Sequence, residues 1–312
     1  MLTSSLQGDP VQFARLMPWT SEAAEVIERS RPATLLHRLQ SERERANCVS
    51  IGATTVTSTP NPPILMIIGP PRAATTALHH ALAAAAPLNA WWPRPVDGLL
   101  LGRRDGDTSE KRHIEARHHV LMMRGQSLAA IHRVTDEGPE ECNVLHKSLL
   151  GGYHLILEGY GREYFEWWSQ LDKSSFLLVY HGLLRTIAPP DTSVVILKSP
   201  FYMLDLPQVR VAFPLARGIW IDRETSEVLS SFRRLMSAMS DLYRVRLDPI
   251  IAAELERKIL ASIELVSSSD WCLRICYREI RERPGRVLES IRAFSEIAFD
   301  VAMACGVLSD RY

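Results

Sequence analysis

The stretch ILMIIGPPRAATT, residues 64–76, decides the fold of this chain. Its first five residues are all apolar, and prolines stand on both sides of the run at positions 62, 63, 70 and 71. An unbroken apolar run rich in β-branched residues is typical of a strand buried on both faces of a parallel sheet. Strong helix formers fill residues 75–86 directly after the loop. A strand, a tight loop and a helix in this order predict the opening unit of an α/β sheet.

Further apolar runs and helical spacings continue this pattern along the chain. Apolar runs that predict strands stand at residues 193–197, 217–222 and 272–277. Helical spacing fills residues 11–46, 110–135, 140–188, about 227–267 and about 285–305. We therefore predict an α/β fold, with a P-loop-like parallel sheet flanked by helices and a large helical insertion between the first and second core strands.

The domain organisation follows from the same pattern. Residues 49–63 are rich in Ser, Thr and Pro and predict a linker. We expect residues 1–60 to form an N-terminal helical segment with this linker, and residues 61–312 to form the α/β domain. Within that domain the helical insertion spans about residues 90–190 and is expected to form the acceptor side of the site.

Composition and charge exclude several classes of partner. Lysine and arginine total 36, and aspartate and glutamate also total 36, so the net charge is zero. This balance gives no reason to expect a nucleic acid or an anionic membrane as partner. No signal peptide or membrane-spanning run is visible. The number of cysteines is odd and only Cys272 and Cys276 lie close together, a spacing that fits neither a disulfide framework nor a zinc knuckle. We expect a cytoplasmic protein, and the sequence leaves a homo-oligomer open.

The loop between Gly69 and Thr76 has the properties of an oxyanion site. The first N–H groups of a helix lack partners within it and carry the positive end of the helix dipole. Arg72 adds a forked cation, and the threonines at the helix start add hydroxyls. Compared with the ATP-binding loop G-x-x-x-x-G-K-[ST], Ala74 replaces the second glycine and Thr75 replaces the lysine. The loop therefore predicts anion binding without ordinary ATP chemistry, although a plain strand-to-helix turn remains an alternative.

At this loop the chain resembles a known family. The segment PRAATT is similar to the P-[KR]-S-G-T-T loop with which sulfotransferases hold the 5′-phosphosulfate of their donor, 3′-phosphoadenosine 5′-phosphosulfate. The resemblance implies that the donor is bound by Pro71, Arg72, Ala73, Ala74, Thr75 and Thr76. The departure from the family pattern is Ala73-Ala74 in place of Ser-Gly, and alanine tolerates positive φ poorly.

Three further matches follow in the order that the family shows. SVVILKSP, residues 193–200, resembles the strand ending in L-K-[SD]-P of bacterial and tyrosylprotein sulfotransferases, which implies that Lys198 contacts the phosphosulfate and stabilises the leaving oxygen. Arg223 ends the next strand and Ser231 follows eight residues later, a spacing that implies binding of the donor's 3′-phosphate. Tyr277 matches the position beside the adenine. The likeness is closest to the bacterial L-K-S-P branch.

The resemblance implies transfer of a sulfuryl group to a hydroxyl or amine of a small-molecule acceptor, a secondary metabolite among the candidates. Such transfer needs neutralised leaving-group charge, which Arg72 and Lys198 can supply, and a base within hydrogen-bond reach of the acceptor. The glutamate that has this role after the first helix of tyrosylprotein sulfotransferases has no counterpart in residues 87–95. The base candidates are Glu140, Glu141, Asp97, His79, His80, His118, His119, His146 and His181.

The sequence leaves two alternatives to this interpretation and argues against a metal site. A P-loop kinase-like phosphotransferase would depend on ATP and magnesium, and the absent loop lysine counts against it. A non-catalytic, sulfotransferase-like nucleotide-binding protein would explain the two alanines and the missing base. The histidine pairs at 79–80 and 118–119 do not predict a metal site, because adjacent helical residues point about 100° apart.

Overall fold

The computed structural model describes residues 62–95, 97, 138–266 and 271–310. The N-terminal segment predicted at residues 1–60 and the helix predicted at residues 110–135 lie outside the described residues.

The core is a five-stranded parallel sheet with the order β2-β3-β1-β4-β5. Its strands are β1 (Ile64–Ile68), β2 (Ala90–Trp91), β3 (Val194–Lys198), β4 (Arg217–Asp222) and β5 (Cys272–Cys276). The four predicted strands and the parallel α/β class are confirmed. The strand β2 was not predicted, because two residues at the sheet edge are too few to carry an apolar pattern.

The unbroken apolar run of β1 reflects burial on both faces of the sheet. Ile64, Met66 and Ile68 pack into one hydrophobic core with the helices that follow β2. Leu65 and Ile67 point to the opposite face and pack into a second core with the first helix and the C-terminal helices. Because side chains alternate between the faces of a strand, a strand covered on both sides needs an apolar residue at every position.

Helices cover both faces of the sheet. In the described residues they are α1 (Thr75–Ala85), α2 (Asn143–His146), α3 (Tyr153–Leu157), α4 (Gly161–Gln170), α5 (Lys173–Ile187), α6 (Leu206–Ala212), α7 (Thr225–Tyr243), α8 (Pro249–Val266), α9 (Tyr277–Glu282), α10 (Pro284–Ser295) and α11 (Val301–Ser309). Helices α2 to α5 belong to the predicted insertion between β1 and β3. A search of these described helices finds none with the length and apolar character that crossing a membrane requires.

Two predicted helical stretches each contain two helices, so the single final helix predicted at about 285–305 was wrong. The helical stretch predicted at about 227–267 is broken after α7, where Arg244 adopts a left-handed conformation with φ 54°. The stretch predicted at about 285–305 is broken after α10, where Glu296 has φ 59°. A left-handed residue commonly ends a helix, but it is usually glycine. The side-chain pattern therefore gave no signal at an arginine or a glutamate.

The sheet order places a crevice at the end of β1. Strand β1 pairs with β3 on one side and with β4 on the other. After β1 the chain first builds the β2–β3 side and then crosses to build the β4–β5 side. In open parallel sheets, ligands bind outside the carboxyl ends of the strands at such a reversal of strand order. The loop after β1 and the ends of β3 and β4 are therefore the elements that can form a site.

Candidate oxyanion site

The loop after β1 is built around two residues in the left-handed conformation. Arg72 has φ 69° and Ala74 has φ 65°. The second is the position at which the sequence departs from the glycine of the family pattern, so the backbone keeps a glycine-like conformation despite the methyl group. Gly69 packs closely against strand β4. A Cβ added to this glycine would lie 3.3 Å from the backbone nitrogen of Ile221.

The start of α1 is open toward this crevice. Ala74 occupies the N-cap position, no side chain of the described residues caps the helix, and no acidic residue lies in its first turn. An alanine cannot accept a hydrogen bond from the first amides, so these N–H groups and the helix dipole are available to an anion. Thr75 is buried, whereas Thr76 is half-buried beside the crevice. The geometry fits an oxyanion at the helix N-terminus.

Lys198 brings a buried cation to the same place from the end of β3. Its side chain is 1% exposed. The Nζ atom donates to Oε1 of Glu141 at 2.7 Å and to Oγ1 of Thr76 at 3.3 Å. The lysine thus joins the helix start after β1 to the segment that precedes α2, and it places a positive charge beside the open amides of α1.

Glu141 is held in place by several hydrogen bonds. Its Oε2 accepts from Nδ2 of Asn143 at 3.3 Å, while its Oε1 binds Lys198. The next residue, Cys142, donates its backbone N–H to the carbonyl of Lys198 at 2.9 Å. The carboxylate of Glu140 accepts from the backbone N–H of Glu141 at 2.7 Å. Of the two adjacent glutamates, Glu141 therefore contacts the lysine, and Glu140 fixes the backbone that carries it.

Arg223 stands on the other side of the loop, at the end of β4. Its Nη1 donates to the backbone carbonyl of Arg72, and its Nε donates to Oε2 of Glu227 at 2.8 Å. The guanidinium carbon lies 4.5 Å from the ring centroid of Tyr277, a cation–π contact. Ser231 is 2% exposed and lies on the inward face of α7. The structure thus brings Arg223, Tyr277 and the loop together, and Ser231 follows two turns along the helix.

Other base candidates are engaged elsewhere. Asp97 binds Arg94 with both carboxylate oxygens, Oδ1 at 2.8 Å from Nη2 and Oδ2 at 2.8 Å from the backbone N–H. Burial lowers the pKa of His146 to about 3, and its ring packs edge-on against Tyr180 at 4.4 Å. A histidine with so low a pKa stays neutral in the core and accepts protons weakly.

The remaining histidine candidates either lie at least partly buried among other side chains or fall outside the described residues. Burial lowers the pKa of His79 well below its usual value, and the charge of Lys198 lowers it further. Burial also lowers the pKa of His181, whose ring lies 4.8 Å from that of Phe213. His80 is half-buried, and His118 and His119 lie outside the described residues. Among the candidates that the structure describes, Glu141 is the carboxylate in contact with Lys198.

Sequence reasoning missed two residues of this site. Glu227 lies in the first turn of α7 and binds Arg223 from four residues further along the chain, and this i,i+4 spacing was a usable signal. Asn143 supports Glu141 from the first residue of α2, and no motif marked it. Among residues 62–95, 138–266 and 271–310, no cluster of three or more His, Cys, Asp or Glu side chains is arranged to hold a metal ion.

These features define a class of protein: a P-loop-like α/β protein with a candidate oxyanion site at the sheet's switch point and one cation from each neighbouring strand. The family model described as "Sulfotransferase family" matches residues 63–301. The chain belongs to the sulfotransferase family, as its loop and strand motifs predicted. No curated protein matches its sequence.

Two solved structures show the same fold. Sulfotransferase STF1 from Mycobacterium tuberculosis H37Rv superposes with a TM-score of 0.70 at 15% sequence identity, over 99% of this chain and 89% of that one. Sulfotransferase STF9 from Mycobacterium avium also gives 0.70 at 15% identity, over 100% of this chain and 88% of that one. The P-loop-like α/β fold predicted from the sequence is confirmed.

Proposed function

We propose that this protein moves a sulfuryl group from 3′-phosphoadenosine 5′-phosphosulfate, the sulfuryl donor, to a hydroxyl or amine of a small-molecule acceptor. The observation that carries the proposal is the meeting of Lys198 Nζ with Thr76 and Glu141 at the open N-terminus of α1. An anion-binding helix start, a buried cation and a carboxylate are the parts that sulfuryl transfer requires.

The residues around the crevice fit the two charged ends of the donor. Toward the 5′-phosphosulfate we assign the loop residues Pro71, Arg72, Ala73, Ala74, Thr75 and Thr76. Toward the 3′-phosphate we assign Arg223, with Ser231 as a hydroxyl ligand, and beside the adenine we assign Tyr277. The contact of Arg223 with both the carbonyl of Arg72 and the ring of Tyr277 supports a continuous binding surface. A forked guanidinium suits a phosphate because it can donate two parallel hydrogen bonds.

The chemistry divides between a cation and a base. When bound, the donor supplies a sulfuryl group whose bond to the bridging phosphate oxygen breaks as the bond from sulfur to the acceptor oxygen or nitrogen forms. Lys198 and Arg72 neutralise the charge that develops on the leaving oxygen. Glu141 accepts the proton from the acceptor, and 3′-phosphoadenosine 5′-phosphate departs with the electron pair. Glu140 holds the backbone of Glu141 in the position this step requires.

The acceptor side is assigned to the helical insertion, about residues 90–190. Its described helices bury a cluster of aromatic and histidine side chains, among them Tyr153, His154, Trp168 and Phe176. The zero net charge of the chain gives no reason for a strongly charged acceptor. We assign a neutral small molecule as the acceptor, a class that includes secondary metabolites. We also propose that the protein is cytoplasmic and that residues 61–312 form its catalytic domain.

Calorimetry with two nucleotides tests the proposal. We expect 3′-phosphoadenosine 5′-phosphate to bind the purified protein without added metal, because two cations face the ends of this nucleotide. We expect ATP with magnesium to bind far more weakly, because the loop has threonine where the ATP-binding loop has lysine. Heat from ATP alone would instead favour a kinase-like phosphotransferase. Binding of the first nucleotide without turnover of any acceptor would favour a non-catalytic binding protein.

A further inference from the structure

The cation proposed to act on the donor already has an internal anion bound to it. Lys198 is buried, and its shortest hydrogen bond is the 2.7 Å contact to Oε1 of Glu141. The carboxylate is itself mostly buried, with 15% of its side chain exposed. An ammonium has three N–H donors, and Thr76 takes a second one. An oxyanion that arrives at the start of α1 can take the third donor, but it then lies beside the negative charge of Glu141. Because the two anions repel each other, they compete for the same ammonium.

We infer that Glu141 is an exchangeable counter-ion and that Lys198 releases it to bind an oxygen of the sulfuryl donor. The two carboxylate oxygens have different partners, and this difference makes the exchange directional. Oε1 loses Lys198, whereas Oε2 keeps the amide of Asn143. Oε1 then becomes the oxygen that is available for the acceptor's proton. Asn143 is a positioning residue, because it holds the carboxylate while the lysine changes partner.

The exchange couples occupancy of the donor site to the activity of the base. The lone pair of Oε1 that accepts the hydrogen bond from Lys198 cannot take the acceptor's proton while that hydrogen bond lasts. Glu141 is thus held back until Lys198 has turned to the donor, which orders the reaction with the donor first and the acceptor second. This inference rests on the proposed function, since the competing anion is the phosphosulfate end of the nucleotide.

Glu141→Gln is the decisive substitution, with binding of 3′-phosphoadenosine 5′-phosphate as the readout. Removing the competing charge should tighten the Kd by about tenfold, the factor that corresponds to a modest ion pair. The same variant should lose acceptor turnover. Tighter nucleotide binding together with lost turnover indicates the exchange, because the loss of a purely structural residue would weaken nucleotide binding and lower turnover. The matched control is Glu166→Gln on the exposed face of α4, which changes the charge equally and should leave the Kd unchanged.

Two further variants keep the inference testable if Glu141→Gln folds poorly. Glu141→Asp retains the charge on a shorter side chain and should tighten the Kd by about twofold. Asn143→Ala should lower kcat while leaving the Kd for the nucleotide and the melting temperature unchanged, because it removes only the support of Oε2. Equal Kd values in wild type and both Glu141 variants would overturn the exchange. Failure of the wild type to bind the nucleotide would instead overturn the proposed function.

Discussion

Lys198 and Arg223 leave strands on either side of β1, and each is paired with a glutamate, but their surroundings are opposite. The Lys198 side chain is 1% exposed and that of Glu141 is 15% exposed, whereas Arg223 is 17% exposed and Glu227 is 52% exposed. Removing one member of a buried pair leaves an uncompensated charge in a poorly solvated place, but an exposed charge regains water. We therefore expect the β3 side to combine a structural and a chemical role, and the β4 side to serve recognition.

The largest effect is expected at the buried pair. Lys198→Ala should lower turnover by about a hundredfold to a thousandfold, because a preorganised charge on the leaving group is lost. It should also destabilise the fold by about 3 kcal/mol, because Glu141 keeps a buried charge without its cation. Steady-state kinetics and urea unfolding measure the two effects.

The double variant Lys198→Ala/Glu141→Gln separates these two roles. It should regain most of the lost stability, since no unpaired charge remains, and it should stay inactive. A single Lys198→Ala variant that keeps turnover within tenfold of wild type would remove the lysine from the mechanism. An unfolding midpoint of Lys198→Ala equal to that of wild type would contradict the comparison of the two pairs.

A smaller and more selective effect is expected at the exposed pair. Arg223→Ala should weaken binding of 3′-phosphoadenosine 5′-phosphate by about 30-fold, the value of a charge-assisted hydrogen bond. Binding of adenosine 5′-phosphate, which lacks the 3′-phosphate, should fall much less. Calorimetry with both nucleotides gives the ratio. Arg233→Ala serves as the control, because it removes an arginine of α7 that also binds a glutamate, Glu256. Equal losses for both nucleotides would refute the 3′-phosphate assignment.

The smallest effect is expected in the loop that lies between the two pairs. Ala74→Gly should raise stability by about 1 kcal/mol, because glycine adopts the left-handed conformation without a penalty. For a domain of this size the melting temperature should rise by about 2 °C. The adjacent Ala73→Gly is the matched control and should lower stability, since Ala73 is fully buried and is not among the positive-φ residues. A rise in stability with Ala73→Gly, or a fall in stability with Ala74→Gly, would show that the backbone strain in the loop lies at another residue.

Much of this architecture was predictable because each strand carries a complete local signal. The run at 64–68 must be apolar at every position, so its burial on two faces could be predicted from composition alone. Lys198 and Arg223 follow such runs directly, and the carboxyl ends of parallel strands meet at one edge of the sheet. Their arrival beside the loop after β1 followed from the fold prediction itself.

The partners of these cations were harder to predict because they depend on tertiary packing. The choice between Glu140 and Glu141 is decided by the backbone before α2, which turns one carboxylate toward Lys198 and the other back onto the chain. Adjacent residues in an irregular segment have no periodicity from which this choice could be made. The helix ends at Arg244 and Glu296 could not be predicted for a related reason, since nothing about an arginine or a glutamate side chain indicates a left-handed backbone.

The long sequence separation of the site's contacts has a consequence for how the protein is made. Thr76 and Lys198 are 122 residues apart, and Arg72 and Arg223 are 151 residues apart. A ribosome therefore releases the loop after β1 long before it releases either cation. Contacts this distant form only after the intervening chain has lost the entropy of loop closure. The proposed affinity for the nucleotide should therefore arise late in folding, when β3 and β4 have paired with β1.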